Sequence, residues 1–136
     1  MGNKREALRW LEQSKRDLQS AEKNLKENIF EWACFLSLQA GEKSIKAVLY
    51  SVGYRPYGHS LLGLLKEIRE KLSVNVDKIY VSCQELDKHY IATRYPDVFA
   101  EGIPGEYYNE KNARSCIKCA NIILTFAVEL IEKMKK

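Results

Sequence analysis

The stretch Phe30-Glu31-Trp32-Ala33-Cys34-Phe35-Leu36-Ser37-Leu38-Gln39-Ala40-Gly41-Glu42-Lys43-Ser44-Ile45-Lys46-Ala47-Val48-Leu49-Tyr50 decides the fold. On a helix, Ala33, Cys34, Leu38, Ile45 and Leu49 share one side, while Trp32, Phe35, Leu36 and Val48 fall on others. A helix apolar nearly all round belongs at the centre of a bundle. Its neighbours are amphipathic. From Lys4 to Glu27, Leu8, Leu11, Leu18, Ala21 and Leu25 recur at helical spacing among mixed charges. Gly53 suits the C-terminal end of the central helix, and Arg55-Pro56-Tyr57-Gly58 reads as a turn, because Pro56 disfavours helix at Arg55. Ser60 is placed to cap a short third helix reaching Leu72, with Leu61, Leu64, Leu65 and Ile68 inward. Asp77 is placed to cap a fourth whose stripe is Ile79, Cys83, Leu86 and Tyr90, and Pro96 should stop it near Arg94.

Tyr95 to Tyr107 contains Pro96, Gly102, Pro104 and Gly105 without a helical period, giving a loop of about a dozen residues, a length that in a compact domain is usually either functional or disordered. A last helix from Tyr108 to Lys135 carries Ala113, Cys116, Ala120, Leu124, Ala127 and Ile131. The expectation is an all-α protein, an up-and-down antiparallel four-helix bundle with a short extra helix, in a single domain over 1–136.

Composition supports this. With 136 residues there is room for one domain and a core that needs no disulfide or structural metal. Apolar residues make up 46% and there are only 7 Gly and 3 Pro, which excludes a disordered tail or a loop-rich β protein. The apolar runs are too short to span a bilayer, and Met1-Gly2-Asn3-Lys4-Arg5-Glu6 carries neither a secretory nor a myristoylation signal. The cytoplasm is the expected location, with no membrane partner. The four cysteines read as reduced, packed thiols. Cys116-Ile117-Lys118-Cys119 is a CxxC inside a helix, and zinc would need further ligands for which Cys34 and Cys83 are the sulfur candidates. No metal or other cofactor is expected, since no phosphate loop, dinucleotide fingerprint or metalloprotease motif occurs. The net charge of +4 permits anionic ligands without demanding them.

Three places carry candidate chemistry. Glu42 and Lys46 are four apart inside the most apolar helix and can pair; they belong either to a solvated stripe or to a cleft or subunit interface, with Lys43 beside them. Arg94 closes the fourth helix, four residues after Tyr90, so it must pair with a carboxylate such as Asp97 or stay open to an anion. His59 precedes the third helix and is placed to cap, coordinate or shuttle a proton. His89 lies four residues after Glu85, a spacing for an exposed helix contact.

Together these segments resemble the HEPN domain, named for higher eukaryotes and prokaryotes nucleotide-binding. The likeness rests on Asp17-Leu18-Gln19-Ser20-Ala21, Gln39 to Ala47, His59-Ser60-Leu61, Thr93-Arg94-Tyr95-Pro96-Asp97 and the Tyr107/Tyr108 entry to the last helix, in that order. It spans about Ala7 to Leu130. The resemblance implies a homodimer with a cleft at its interface, acting as the toxin-like partner of a minimal nucleotidyltransferase antitoxin. Some members are metal-independent ribonucleases in which an arginine is followed four to six residues later by a histidine. Here Arg94 is followed by Tyr95-Pro96-Asp97-Val98-Phe99-Ala100-Glu101, with no histidine at that distance.

The resemblance therefore points to a nucleotide- or RNA-binding module. Arg94 is the expected phosphate contact, Lys43 or Lys46 the second cation, Tyr95 or Tyr108 the stacking surface, and Asp97 the group that orients Arg94. Glu42 and His59 complete the candidate set. Two alternatives remain open: a ribonuclease using His59 with Arg94 across the dimer, and a non-catalytic assembly module.

Overall fold

The computed structural model describes residues 2–134. Met1, Lys135 and Lys136 lie outside them, and with them the expected end of the last helix. Among the described residues six α-helices and no strand occur: α1 (Lys4–Lys26), α2 (Phe30–Ser51), α3 (Leu61–Leu72), α4 (Asp77–Asp87), α5 (His89–Ala92) and α6 (Glu110–Met134). Two single 3-10 turns, Pro96–Val98 and Pro104–Glu106, lie between α5 and α6.

The apolar α2 is central, packing against each of the other five helices. A short turn folds α1 back along it. Small residues permit the close approach of this pair: buried Ser14 of α1 donates to the Ala40 carbonyl of α2 at 2.7 Å and lies 2.7 Å from the Ser44 hydroxyl. Gly41 does the same on the opposite side. A Cβ there would lie 3.2 Å from Leu86, 3.3 Å from Ile123 and 3.4 Å from Leu61, so α3, α4 and α6 all converge on this one position. The core fills the space between them with Leu11, Leu38, Ile45, Leu49, Leu61, Leu65, Ile79, Leu86 and Ile123.

Helix ends follow local chemistry. Gly53 adopts a φ of +87°, and the N–H groups of Gly53 and Tyr54 return to the carbonyls of Tyr50 and Leu49, which closes the C-terminus of α2. Ser60 accepts the Gly63 N–H at 3.1 Å, as its cap position requires. Asp77 is not the cap of α4. It occupies the first helical position, and its N–H donates to the Asn75 side chain.

The expected fourth helix is two helices. It ends at Asp87, Lys88 keeps right-handed helical dihedrals (φ −62°, ψ −21°), and α5 begins at the next residue. The Asp87 carboxylate is drawn to a different helix terminus: it accepts the N–H of Leu61 at 2.8 Å and of Leu62 at 3.0 Å, with the Ser60 hydroxyl at 3.3 Å. These are orphan donors at the start of α3, where a negative charge also meets the helix dipole favourably. None of the four α5 residues is buried.

Candidate functional site

The Glu42–Lys46 pair does not lie on a solvated stripe. The two side chains are 6% and 9% exposed, and Lys46 Nζ meets Glu42 Oε2 at 3.0 Å. A buried pair costs desolvation that only good geometry and further hydrogen bonds offset. Here the same Oε2 also receives His59 Nδ1 at 3.1 Å, and Lys46 Nζ stands 5.6 Å from the Trp10 ring centroid. The other oxygen, Oε1, is buried without a hydrogen-bond partner. The His59 side chain is 60% exposed, so its ring joins a buried carboxylate to the surface.

Tyr90 of α5 extends the cluster. The His59 ring stacks on it with centroids 5.7 Å apart and planes 17° apart, and the Arg94 guanidinium lies 4.6 Å from the same ring's centroid. Phe35 of α2 and Tyr95 flank that guanidinium at 4.5 and 5.1 Å. Arg94 Nε and Nη2 both donate to the Tyr90 carbonyl, the former at 2.9 Å. Asp97 does not orient Arg94: among the described residues Arg94 forms no ion pair, and its Nη1 donors have no partner. The reason is local. The guanidinium folds back over its own helical turn, onto the Tyr90 carbonyl and aromatic faces.

Glu42, Lys46, His59, Arg94 and Tyr95 are therefore brought together, whereas Lys43 and Tyr108 face elsewhere. Lys43 pairs with Asp17 of α1 at 2.7 Å. The Tyr108 hydroxyl lies 2.8 Å from His89 Nδ1, and His89 Nε2 lies 3.4 Å from Glu85. That imidazole is mostly buried, not an exposed helix contact. Burial opposes its charge, but hydrogen bonds to the Cys116 sulfur and the Glu85 carboxylate outweigh this and hold its pKa above the ordinary value. Tyr90, Phe35 and Trp10 enter the site without having been singled out for it; the four-residue step from Tyr90 to Arg94 was the signal available.

The four cysteines are free thiols, three of them buried. Burial, with the fields of Asp87 and Cys119, pushes Cys83 up to about 12, and the hydrogen bond that the Cys116 thiol makes to Cys34, together with burial, raises Cys116 further. Such thiols are inert at neutral pH. Among the described residues no group of three or more His, Cys, Asp or Glu side chains is arranged to hold a metal ion, and no helix is long and apolar enough to cross a membrane. An open groove between α1 and α6, floored by Leu25, Ile117, Ile122 and Phe126, shares no lining residue with the Tyr90 cluster.

The HEPN domain family model matches residues 7–131. The chain belongs to the HEPN family. Among solved structures, this HEPN chain is similar to TT1696 from Thermus thermophilus, with a TM-score of 0.85 and 35% identity over 91% of this chain and 97% of that one. It is similar also to ST0689, described as an archaeal HEPN homologue, with a TM-score of 0.77 and 38% identity over 92% and 97%. In sequence it is 26% identical to "Putative toxin MJ1304" of Methanocaldococcus jannaschii, an alignment that spans 91% of this chain and 87% of that protein.

Proposed function

We propose that this HEPN protein is toxin-like and binds a nucleotide or RNA phosphate at the Tyr90 cluster, as a homodimer and with a minimal nucleotidyltransferase as its partner. The observation that carries this reading is Arg94. Its guanidinium has no carboxylate partner, is braced by the Tyr90 carbonyl and three aromatic rings, and keeps Nη1 donors free, while the exposed His59 ring stacks on the same tyrosine. A preset, unpaired guanidinium suits a phosphate, which accepts two parallel N–H bonds from it.

The exposed Tyr95, whose ring flanks Arg94, together with exposed Ile91 and Val98 close to it in sequence, supports a second copy covering this region. The toxin partnership rests on the similarity to "Putative toxin MJ1304" and on the family. Titration of ATP and short RNA against wild type and Arg94→Ala tests the site. Loss of binding is expected in the variant. Equal affinities would remove Arg94 from the site, and no measurable binding by wild type would leave only an assembly role.

One observation favours a second reading, a metal-independent ribonuclease. The family's sequence spacing lacks a histidine after Arg94, but the fold brings His59 onto the same tyrosine ring, with Nδ1 held by Glu42 and Nε2 without a partner among the described residues. A carboxylate behind an imidazole orients it to take a 2′-hydroxyl proton at Nε2. This reading expects cleavage insensitive to EDTA, 2′,3′-cyclic phosphate ends and abolition in His59→Ala. Intact RNA after prolonged incubation with wild type counts decisively against it.

A further inference from the structure

The outward face of α1 carries charge that the fold leaves unused. Its N-terminal half borders an open groove of about 1180 Å³. Five cations line that groove, Lys4, Arg5, Arg9, Arg16 and Lys43, against two carboxylates, Glu6 and Glu12. The acids here are already engaged: Glu6 accepts from Arg9 and from the Trp10 indole, Glu12 lies 4.0 Å from Lys15, and Asp17 behind them holds Lys43. Lys4, Arg5 and Arg16 form no ion pair among the described residues. The groove between α1 and α6 is nearly balanced by comparison, with four cations against three carboxylates.

Helix geometry aligns these groups. At about 3.6 residues per turn, Arg5, Arg9 and Arg16 fall within about 40° of one another around α1, and Arg5 and Arg16 stand about 16 Å apart along it. Leu8 borders this row and is 48% exposed, and Glu12 stands within the row between Arg9 and Arg16. That mixture decides which kind of anion fits. A nucleic-acid strand brings a charge at every linkage and would set one against Glu12. The groove's aromatic wall, Trp10, is no free stacking surface, since Tyr50 lies 5.3 Å and the Lys46 ammonium 5.6 Å from it. A protein segment can space its carboxylates to meet the arginines, leave a neutral residue opposite Glu12 and bring an apolar side chain to Leu8.

We propose that this face of α1 is a docking surface for an acidic amphipathic helix of a partner protein: two carboxylates about three turns apart meet Arg5 and Arg16, and an apolar side chain between them covers Leu8. The surface needs neither Arg94 nor a bound phosphate, so it stands apart from the reading above. A helix laid in a groove is anchored by its apolar stripe. Complementary charge beside that stripe speeds the encounter and rejects partners of the wrong sign. Three unpaired cations are a large share of the field of a chain whose net charge is +4.

The test uses Trp10 as the reporter. The chain has two tryptophans, so Trp32→Phe leaves the one that lines the groove. In that background the protein is titrated with a synthetic helical peptide of Ala, Leu and Glu, its Glu residues about three turns apart beside a Leu stripe, with a scrambled peptide of the same composition, and with a short single-stranded RNA. The patterned peptide should shift Trp10 emission and bind about ten-fold tighter than the scrambled one, with an affinity that falls as salt rises. Arg5→Glu/Arg16→Glu should weaken it about ten-fold or more, and Leu8→Ser about three- to ten-fold. Arg94→Ala should bind it unchanged. All three positions on α1 are exposed, so melting temperatures should not move. A peptide with Lys in place of Glu should bind the double variant and not the parent, which keeps the assignment to this row independent of any loss of fold. Equal affinity for the scrambled peptide, or no loss in the double variant, overturns the proposal. So does a patterned peptide that leaves Trp10 emission unmoved at low salt, and RNA that binds more tightly than the peptide and is lost in the same double variant gives the row to nucleic acid instead.

Discussion

Replacing Lys46 by methionine should be among the most damaging single substitutions in α2. Methionine preserves the apolar stem and roughly the volume, so the change is nearly confined to the ammonium group. What remains is a buried carboxylate whose Oε1 has no partner and whose Oε2 keeps only His59. Removing one member of a buried pair costs about 3–5 kcal/mol, chiefly through the charge left behind. For a domain of this size each kcal/mol lowers the melting temperature by roughly 3–5 °C, so a fall of about 9–25 °C is expected. The double variant Glu42→Leu/Lys46→Met should recover most of that loss, because two apolar side chains leave no orphan charge. The exposed Arg9–Glu6 pair is the control: Arg9→Ala should cost about 0–1 kcal/mol. Circular-dichroism melts and urea titrations of the four proteins read these values. A Lys46→Met protein that melts like wild type, or a double variant less stable than Lys46→Met alone, would refute the claim that α2 buries this pair.

Two glycines should respond with opposite signs. Gly41→Ala is expected to destabilise by about 1–2 kcal/mol, since overpacking against Leu86, Ile123 and Leu61 outweighs the better helix propensity; Gly63→Ala, whose Cβ meets only Ser60, should stabilise by up to about 1 kcal/mol, and matching signs in urea titrations would contradict the packing described. Asp87→Ala removes the acceptor for two N–H groups of α3 and should cost about 1–2 kcal/mol while shifting the His59 ring signals in NMR spectra; an unmoved His59 would break the link from Asp87 to the site. His89 has a raised pKa in the folded state, so its contribution to stability is complete below the unfolded value of 6.5 and is lost as pH rises through the folded value. Glu85, whose pKa is lowered, gives a contribution lost only as pH falls toward acid. Melting temperature measured from neutral to alkaline pH should therefore decline less steeply in His89→Asn than in wild type, and identical slopes would exclude His89 as the source.

The bundle was legible because its signals are local and periodic: an all-round apolar α2, an amphipathic α1 and α6, and Ser60 and Gly53 at their helix ends. The break after Asp87 was not. No proline or glycine marks it, Leu86 and Tyr90 keep helical spacing across it, and Asp87 is engaged by a helix start 26 residues earlier. The site divides in the same way. Arg94 and His59 stood out by residue type, and Glu42 with Lys46 by charge inside an apolar helix. The burial of that pair depends on His59 and Trp10, each far away in sequence, so spacing alone favoured a wet surface no less than a cleft. Asp97 was an attractive partner for Arg94 because it is near in sequence, but aromatic faces contributed by α2 and α5 took its place.

The four residues of α5 contribute no fully buried side chain, yet they present Tyr90 and lead directly into Arg94. Segments of this kind open locally at far lower free energy than a core unfolds. Durability and recognition are thus assigned to different stretches of chain: α1, α2 and α6 keep the molecule standing, while a short strip hung from Lys88 can loosen, regrip or drift through evolution without disturbing them. Amide protons of residues 89–94 should accordingly exchange with solvent long before those of α2.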